Sequence, residues 1–341
     1  MPSRWILAGF WFGLHPYFNL YSVIFITVAF PKYLSAKRIY IFYITALKKA
    51  RKNATIIQIV KKGDEQLKGI LAVNAFLKGE KYDMLHSHLL KAARDCDIEL
   101  EIKTNLDLAC EVPKCDFALF WDKDSLTARL LEKQGVPVFN SAESIELCDN
   151  KAKTYLALLG SVPQPKTLIA PLSFFKADYS AFVDKSIEIL GLPLVFKECF
   201  GSFGEQVFLC RSRQEILEHI TEKPFILQEF MSSCEGRDIR IEVVGGKAVA
   251  AMRRVNQNDF RANVTNGACA QAYSPSTSEK KLAEKACRVL GLTFGGVDIF
   301  ENGVVCEVNS NAHIINLMNC TGIDTAPMIF EEIKRRIADK E

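Results

Sequence analysis

From Lys68 onward, short apolar runs alternate with stretches whose apolar residues recur every three or four positions. The run "GILAVNAF" is followed by a helical pattern from Met84 to Cys96 and by the strand-like "IELEIKTN". A second apolar run, "DFALFW", precedes a helix over Leu126 to Lys133 that ends at Gly135, and "VPVFN" closes the region at Asn140. Strands and helices alternating at these lengths predict a parallel α/β unit.

The pattern then changes. In "CDNKAKTYLALLGSVPQP", Asp149 is placed to cap a helix running to Leu159, Gly160 ends it, and Pro163 and Pro165 forbid its continuation. Beyond residue 190 the chain reads as strands joined by Gly turns: "LPLVFKE", "EQVFLC", "FILQEFM" and "IRIEVVGGKAVAAMRR". Helices return at Ser278 to Leu290 and at Asp324 to Ala338, the latter with Ile329, Ile333 and Ile337 on one stripe. The expected fold class is therefore α/β plus α+β. Three regions are expected: an extension over residues 1–66, a small parallel α/β domain over 67–145, and an α+β domain over 146–341.

Within the last region, "GGVDIFENGVVCEVNSN" places Asp298, Glu307 and Asn309 on two apolar runs. Asn302-Gly303 between them predicts a two-residue type I′ hairpin. With Glu301 opposite Val304, Asp298 falls across from Glu307, and Asn309 shares the face of Glu307. Like charges directly opposed destabilise a strand pair, so a positive partner is expected between them. Oxygen ligands without a sulfur or imidazole pattern suit a hard cation such as Mg²⁺, with Mn²⁺ as the alternative, whose shell phosphate oxygens complete.

Composition adds little except at the ends. The 341 residues are 49% hydrophobic and 24% charged, ordinary for a globular protein. The formal charge of +3 hides an asymmetry: residues 1–63 carry ten Lys/Arg and no acid, leaving 33 basic against 40 acidic residues in the remainder. A mildly acidic body gives no footprint for nucleic acid, and none is expected as a partner. Eleven Cys without a CxxC pair or zinc spacing fit a reducing cytoplasm, the expected location. The uncharged, aromatic-rich stretch from Trp5 to Pro31, followed by lysines and arginines, is compatible with a membrane anchor, a leader, or upstream sequence translated ahead of a start near Leu67. Membrane contact is expected only through residues 1–66, and the extension is expected to be dispensable for chemistry.

Several positions suit a nucleotide. Lys197 ends an apolar strand before "ECFGSFGEQV", so one fixed charge and the backbone N–H groups around Gly201 and Ser202 can face phosphates. Lys151 opens its helix and has the same choice between solvent and phosphate. Gln228 and Glu229 end a strand where an adenine edge and a ribose hydroxyl can bind. Asp238 and Arg240 alternate on the next strand. Arg253, Arg254 and Arg261, ahead of Ala262 and Asn263, form a basic cluster suited to a transferring phosphoryl group or a carboxylate.

The order of these motifs resembles the ATP-grasp superfamily, and within it the RimK-like carboxylate–amine ligases (alpha-L-glutamate ligase-like), over about residues 68 to 338. The resemblance implies an ATP-grasp fold preceded by a pre-ATP-grasp domain. It implies that Lys151 and Lys197 are nucleotide lysines, Glu229 and Phe230 the adenine hinge, and Asp238 a further nucleotide contact. Arg261, Ala262 and Asn263 fall beside the phosphates, and Asp298, Glu307 and Asn309 are implied as magnesium ligands. Two departures stand out: Gln206 replaces a third loop Gly, and "SNAHI" follows "EVN" where Ser-Pro-Gly is usual, with Asn311 and His313 in unassigned roles. His313 is placed to touch substrate, to act as a base, or to be a packed or solvated side chain.

The implied activity uses ATP and Mg²⁺ to convert a carboxylate, on a small molecule or peptide, to an acyl phosphate that an amine or amino acid attacks. Arg240, Arg253, Arg254 and Arg261 are expected to stabilise the transferring group. Asp298→Asn is expected to stop turnover with the fold intact. A kinase acting on a hydroxyl and a membrane-anchored nucleotide-binding module without turnover are the rival readings. Homo-oligomers are common among proteins that resemble this one.

Overall fold

A computed structural model describes residues 66–339 apart from Phe174, Lys176 and Phe203, and these residues form one compact unit. The anchor, leader and upstream-sequence expectations lie outside the described residues.

The first layer is a parallel sheet in the order β2-β1-β3-β4, built from β1 (Leu67–Val73), β2 (Ile98–Thr104), β3 (Phe117–Phe120) and β4 (Val138–Phe139). Helix α1 (Glu80–Asp95) crosses from β1 to β2, and α2 (Asn105–Cys110) and α3 (Ser125–Lys133) follow β2 and β3. The central strands are apolar throughout because helices cover the sheet, as parallel sheets require.

Helix α4 (Ala142–Asp149) leads directly into α5 (Lys151–Leu158). The expected boundary after residue 145 falls inside α4. The expected cap at Asp149 is displaced by one residue: Asn150 caps α5, its Oδ1 accepting from the N–H groups of Ala152 (3.0 Å) and Lys153 (3.1 Å), while Asp149 closes α4.

Two antiparallel sheets complete the chain. One runs β5-β8-β6-β7, with β5 (Thr167–Ile169), β6 (Leu194–Glu198), β7 (Val207–Cys210) and β8 (Phe225–Glu229). Helices α6 (Ser180–Leu190) and α7 (Arg213–His219) share its core, where Phe196 stacks on Phe225 with centroids 4.9 Å apart. The other runs β11-β10-β9-β12-β13, with β9 (Arg237–Val244), β10 (Lys247–Val255), β11 (Cys269–Ala272), β12 (Phe294–Phe300) and β13 (Val304–Asn309). Helix α8 (Thr277–Val289) packs on it through Ala283, Ala286 and Cys287. Helices α9 (Ile314–Thr321) and α10 (Ala326–Ala338) follow, and the stripe on α10 buries Ile329 and Ile333 with Phe330.

The parallel sheet and the five-stranded sheet share one core. Trp121, just past β3, stacks on Phe294 at 5.2 Å, within a cluster that also holds Leu71, Phe117 and Ile329. Buried Asn140 joins the same two layers. Its Nδ2 donates to the carbonyls of Phe294 and Ser310, both at 2.8 Å, and its Oδ1 accepts from the N–H of Thr293 (2.7 Å) and Phe294 (3.3 Å). One side chain thus fixes both ends of the β12–β13 hairpin.

The hairpin turn differs from expectation. Phe300 pairs with Val304, so three residues form the loop, and Gly303 takes the left-handed conformation (φ 80°) while Asn302 does not. A bulge between β12 and β13 then shifts the register by one, which restores Asp298 opposite Glu307 and Gly296 opposite Asn309. The facing pair survives although the turn type was wrong.

Candidate active site

A cavity of about 630 Å³ opens where the three sheets meet. Its floor is a row of charged side chains across neighbouring strands. Arg240 on β9, Asp298 on β12 and Glu307 on β13 lie side by side in register. Arg240 binds Asp298 bidentately, Nε to Oδ1 and Nη2 to Oδ2, both at 2.7 Å. Arg254, from β10, reaches Asp298 Oδ2 at 2.9 Å and holds Asp238 through Nε (2.7 Å) and Nη2 (2.5 Å).

Electrostatics follow from this packing. Burial alone raises the Asp298 carboxyl, but the guanidiniums of Arg240 and Arg254 outweigh it and hold it below the ordinary carboxylate range. Asp238 goes the other way, pushed up to about 6 by burial against the pull of Arg254. Burial also lowers the Lys151 ammonium, with Glu307 opposing and Lys197 and Lys123 assisting. Lys151 Nζ stands 3.8 Å from Glu307 Oε1 and 3.5 Å from the carbonyl of Gly201. Three lysines gathered at one wall, Lys151 with only a long ion pair, favour a polyanion there.

The loop between β6 and β7 closes one wall. Lys123 Nζ pairs with Asp149 (2.6 Å) and lies 3.4 Å from the Gly201 carbonyl, while Arg261 Nη1 donates to the Gly204 carbonyl at 2.6 Å. Gln206, the residue in place of a loop Gly, folds against Gly201: a Cβ there would lie 2.2 Å from Gln206 Oε1. Gly201, with φ +149°, is therefore required by its neighbour as well as by its backbone.

Opposite, the end of β8 lines the cavity through Gln228, Glu229 and Phe230. The Gln228 amide donates to Thr167 Oγ1 (2.8 Å), and Glu229 Oε1 accepts from the Lys166 N–H (2.7 Å). Phe230 meets Phe260 edge-on at 6.3 Å.

The structure gathers Lys151, Lys197, Gly201, Ser202, Gln228, Glu229, Phe230, Asp238, Arg240, Arg254, Arg261, Ala262, Asn263, Asp298, Glu307 and Asn309 around this one cavity. Arg253 is the exception. Strand alternation turns it to the opposite face of β10, where its Nε pairs with Glu301 at 2.5 Å, so it does not belong to the basic cluster. Sequence reasoning also missed the parallel sheet's contribution: Asn74 beyond β1, Lys81, Tyr82 and His86 on α1, and Asp122 and Lys123 beyond β3. Ligands favour the carboxyl ends of parallel strands, and that rule could have found Asn74, Asp122 and Lys123.

Asp298, Glu307 and Asn309 fit a hard divalent cation. Glu307 is partly exposed and has only the long Lys151 contact, and the Asn309 amide Nδ2 is buried without a partner. Asp298 has three of its lone-pair directions taken by arginine N–H groups, leaving one on Oδ1. Glu307 is thus the more available ligand, and Asn309 would reach a cation only through Oδ1, its unpartnered Nδ2 being an N–H donor.

The model for the RimK-like ATP-grasp domain matches residues 148–333. The "Uncharacterized protein MG012 homolog" of Mycoplasma pneumoniae is 34% identical over 248 residues, covering 67% of this chain and 86% of that protein. Beta-citrylglutamate synthase B of Danio rerio is 32% identical over 219 residues, 61% of this chain and 53% of that protein. A D-alanine–D-alanine ligase from Bacillus anthracis, solved with ATP, shares the fold at TM-score 0.64 and 16% identity, over 81% of this chain and all of that one. The chain belongs to the RimK-like ATP-grasp family. It is an ATP-dependent carboxylate–amine ligase that uses ATP and Mg²⁺. Among the described residues no helix is long and apolar enough to cross a membrane.

Proposed function

We propose that the chain forms an amide between a small acid and an amino acid through an acyl phosphate, in the cavity floored by Arg240, Asp298 and Glu307. The observation that carries this reading is that row of charges, in register across three strands and faced by Lys151 and Lys197. The kinase reading is not favoured, because the relative and the structural neighbour named above for an activity are a synthase and a ligase.

In this reading Lys151 and Lys197 bind the triphosphate, and its charge reverses the lowering of Lys151. The backbone of Gln228 to Phe230 takes the adenine edge, and the Glu229 oxygen not used by Lys166 is left for a ribose hydroxyl. Arg261 ties the Gly loop to the phosphate wall. Glu307, Asn309 and the remaining Asp298 lone pair would hold Mg²⁺, which supplies charge neutralisation on the phosphates. Arg240, fixed by Asp298, faces the acid and the phosphoryl group passing to it. Arg254 acts one step back, holding Asp238 and Asp298 in place. Positioning and charge stabilisation provide most of the acceleration in such transfers, and no protein nucleophile is needed.

The protein is tested by incubating it with Mg-ATP and pooled small acids and amino acids, following ADP and weighing the products. A product whose mass is the sum of one acid and one amine less water supports the reading. A phosphate ester with no amide would replace it by the kinase.

A further inference from the structure

His313 follows the metal-binding strand by four residues and lines the cavity beside Asn311 and Ala312. Both its ring nitrogens are buried, and neither makes a hydrogen bond of full geometry, although the Lys81 backbone approaches the ring. Leaving such groups unpaired is costly, so an imidazole kept this way at a cavity wall points to a partner supplied by substrate.

Among the described residues, most of the other acids lining the cavity are engaged or exposed. Asp298 and Asp238 are held by guanidiniums. Asp122 receives Asn74 Nδ2 on both oxygens at 3.1 Å and the Lys123 N–H at 2.8 Å. Glu205 and Glu235 are exposed, on the Gly loop and past β8. The charged groups around His313 are Lys81 from α1 and Arg240 from β9. His86 and Tyr82, also on α1, line the same cavity. Arg240 in turn is locked to Asp298, so His313 stands next to the residue that faces the acyl group.

Resting on the ligase reading, we propose that His313 is the general base that takes a proton from the attacking amine. The amine arrives as ammonium and gives one proton to the imidazole. Its freed lone pair attacks the acyl carbon, the C–N bond forms, the C–O bond to phosphate breaks, and the second proton leaves with the phosphate. Burial lowers the imidazole's pKa, aided by the charges of Lys81 and Arg240 and opposed by the Lys81 backbone. The imidazole is therefore neutral and able to accept at physiological pH. His has a broad outer torsion, so the substrate decides which nitrogen it meets.

The test compares two nucleophiles on the full chain with Mg-ATP and citrate or N-acetyl-L-aspartate as probe acids. Hydroxylamine is largely unprotonated at neutral pH and needs no base, whereas L-glutamate does. His313→Gln should leave hydroxamate formation unchanged and slow amide formation by about 10²–10⁴-fold. The variant's amide rate should keep rising with pH toward the amine's own pKa, where the wild type levels off. Equal losses with both nucleophiles, or no loss with either, would overturn the assignment, and so would the same split in His86→Asn but not in His313→Gln. If the wild type forms neither hydroxamate nor amide, the ligase reading with these acids fails first and the role of His313 falls with it.

Discussion

Asp298 accepts both arms of the Arg240 guanidinium at 2.7 Å, and the same carboxylate takes Arg254 Nη2 at 2.9 Å. A buried carboxylate shared by two arginines is structural as well as chemical. Removing one member leaves uncompensated charge, at a cost of roughly 3–5 kcal/mol. Asp298→Asn should therefore lower the melting temperature as well as turnover, against the expectation that the fold stays intact. Glu307→Gln is the cleaner variant, because its one ion pair among the described residues is the 3.8 Å contact with Lys151. It should melt close to wild type yet lose at least about 10²-fold in kcat, a magnitude typical of a lost transition-state electrostatic contact. Calorimetry and ADP release measured on both variants check the contrast.

Arg253 and Arg254 are neighbours in sequence with opposite fates. Arg254 is buried between Asp238 and Asp298, whereas Arg253 is partly exposed and bonded to Glu301. Arg253→Ala should change kcat/KM by less than about threefold and stability by no more than about 1 kcal/mol. Arg254→Ala should abolish activity and unfold more readily. Comparable activity losses in the two variants would contradict the strand alternation assigned to β10.

Asn140 makes four hydrogen bonds to the backbone at both ends of the β12–β13 hairpin. Asn140→Ala leaves those buried groups unpaired and should destabilise by roughly 2–4 kcal/mol. Denaturant unfolding measures this directly. The residue does not itself line the cavity, so any residual folded fraction should still bind ATP.

Glu242 is fully buried on β9, its Oε1 lacks a partner, and burial pushes its pKa up to about 8. The folded state then holds a proton that the unfolded chain has released. Stability from this group is present below its unfolded pKa, near the ordinary carboxylate value, and declines as pH rises toward about 8. Glu242→Gln should remove that decline. The melting temperature of wild type should fall relative to the variant between pH 5 and pH 8, at about 1–2 °C per kcal/mol lost for a chain of this size. Parallel curves would show that Glu242 does not change charge in this range.

The legible part of the site was the part set by strand periodicity. Asp298 and Glu307 face each other as the alternating pattern required, and Asp238, Arg240 and Arg254 reach the cavity from adjoining strands. The turn was misread because Asn302-Gly303 satisfies a two-residue loop on its own. Only the bulge near Cys306, a tertiary compromise, reconciles a three-residue loop with the same pairing. Arg253 was grouped with Arg254 by proximity in sequence, which strand geometry separates. The wall formed by Asn74, Lys81, His86 and Lys123 was invisible as a motif, since these residues come together only when the parallel sheet packs on the five-stranded one through Trp121 and Phe294. Helix α4 was missed because Asn150 begins the next helix immediately, leaving no Gly or Pro to mark an end.

The most direct test of the acyl phosphate is to supply the acid with ¹⁸O in its carboxylate, together with Mg-ATP and the amine, and to weigh the phosphate released. The account predicts one ¹⁸O transferred to phosphate for each amide formed, because the C–O bond to phosphate breaks. Unlabelled phosphate alongside product formation would contradict it.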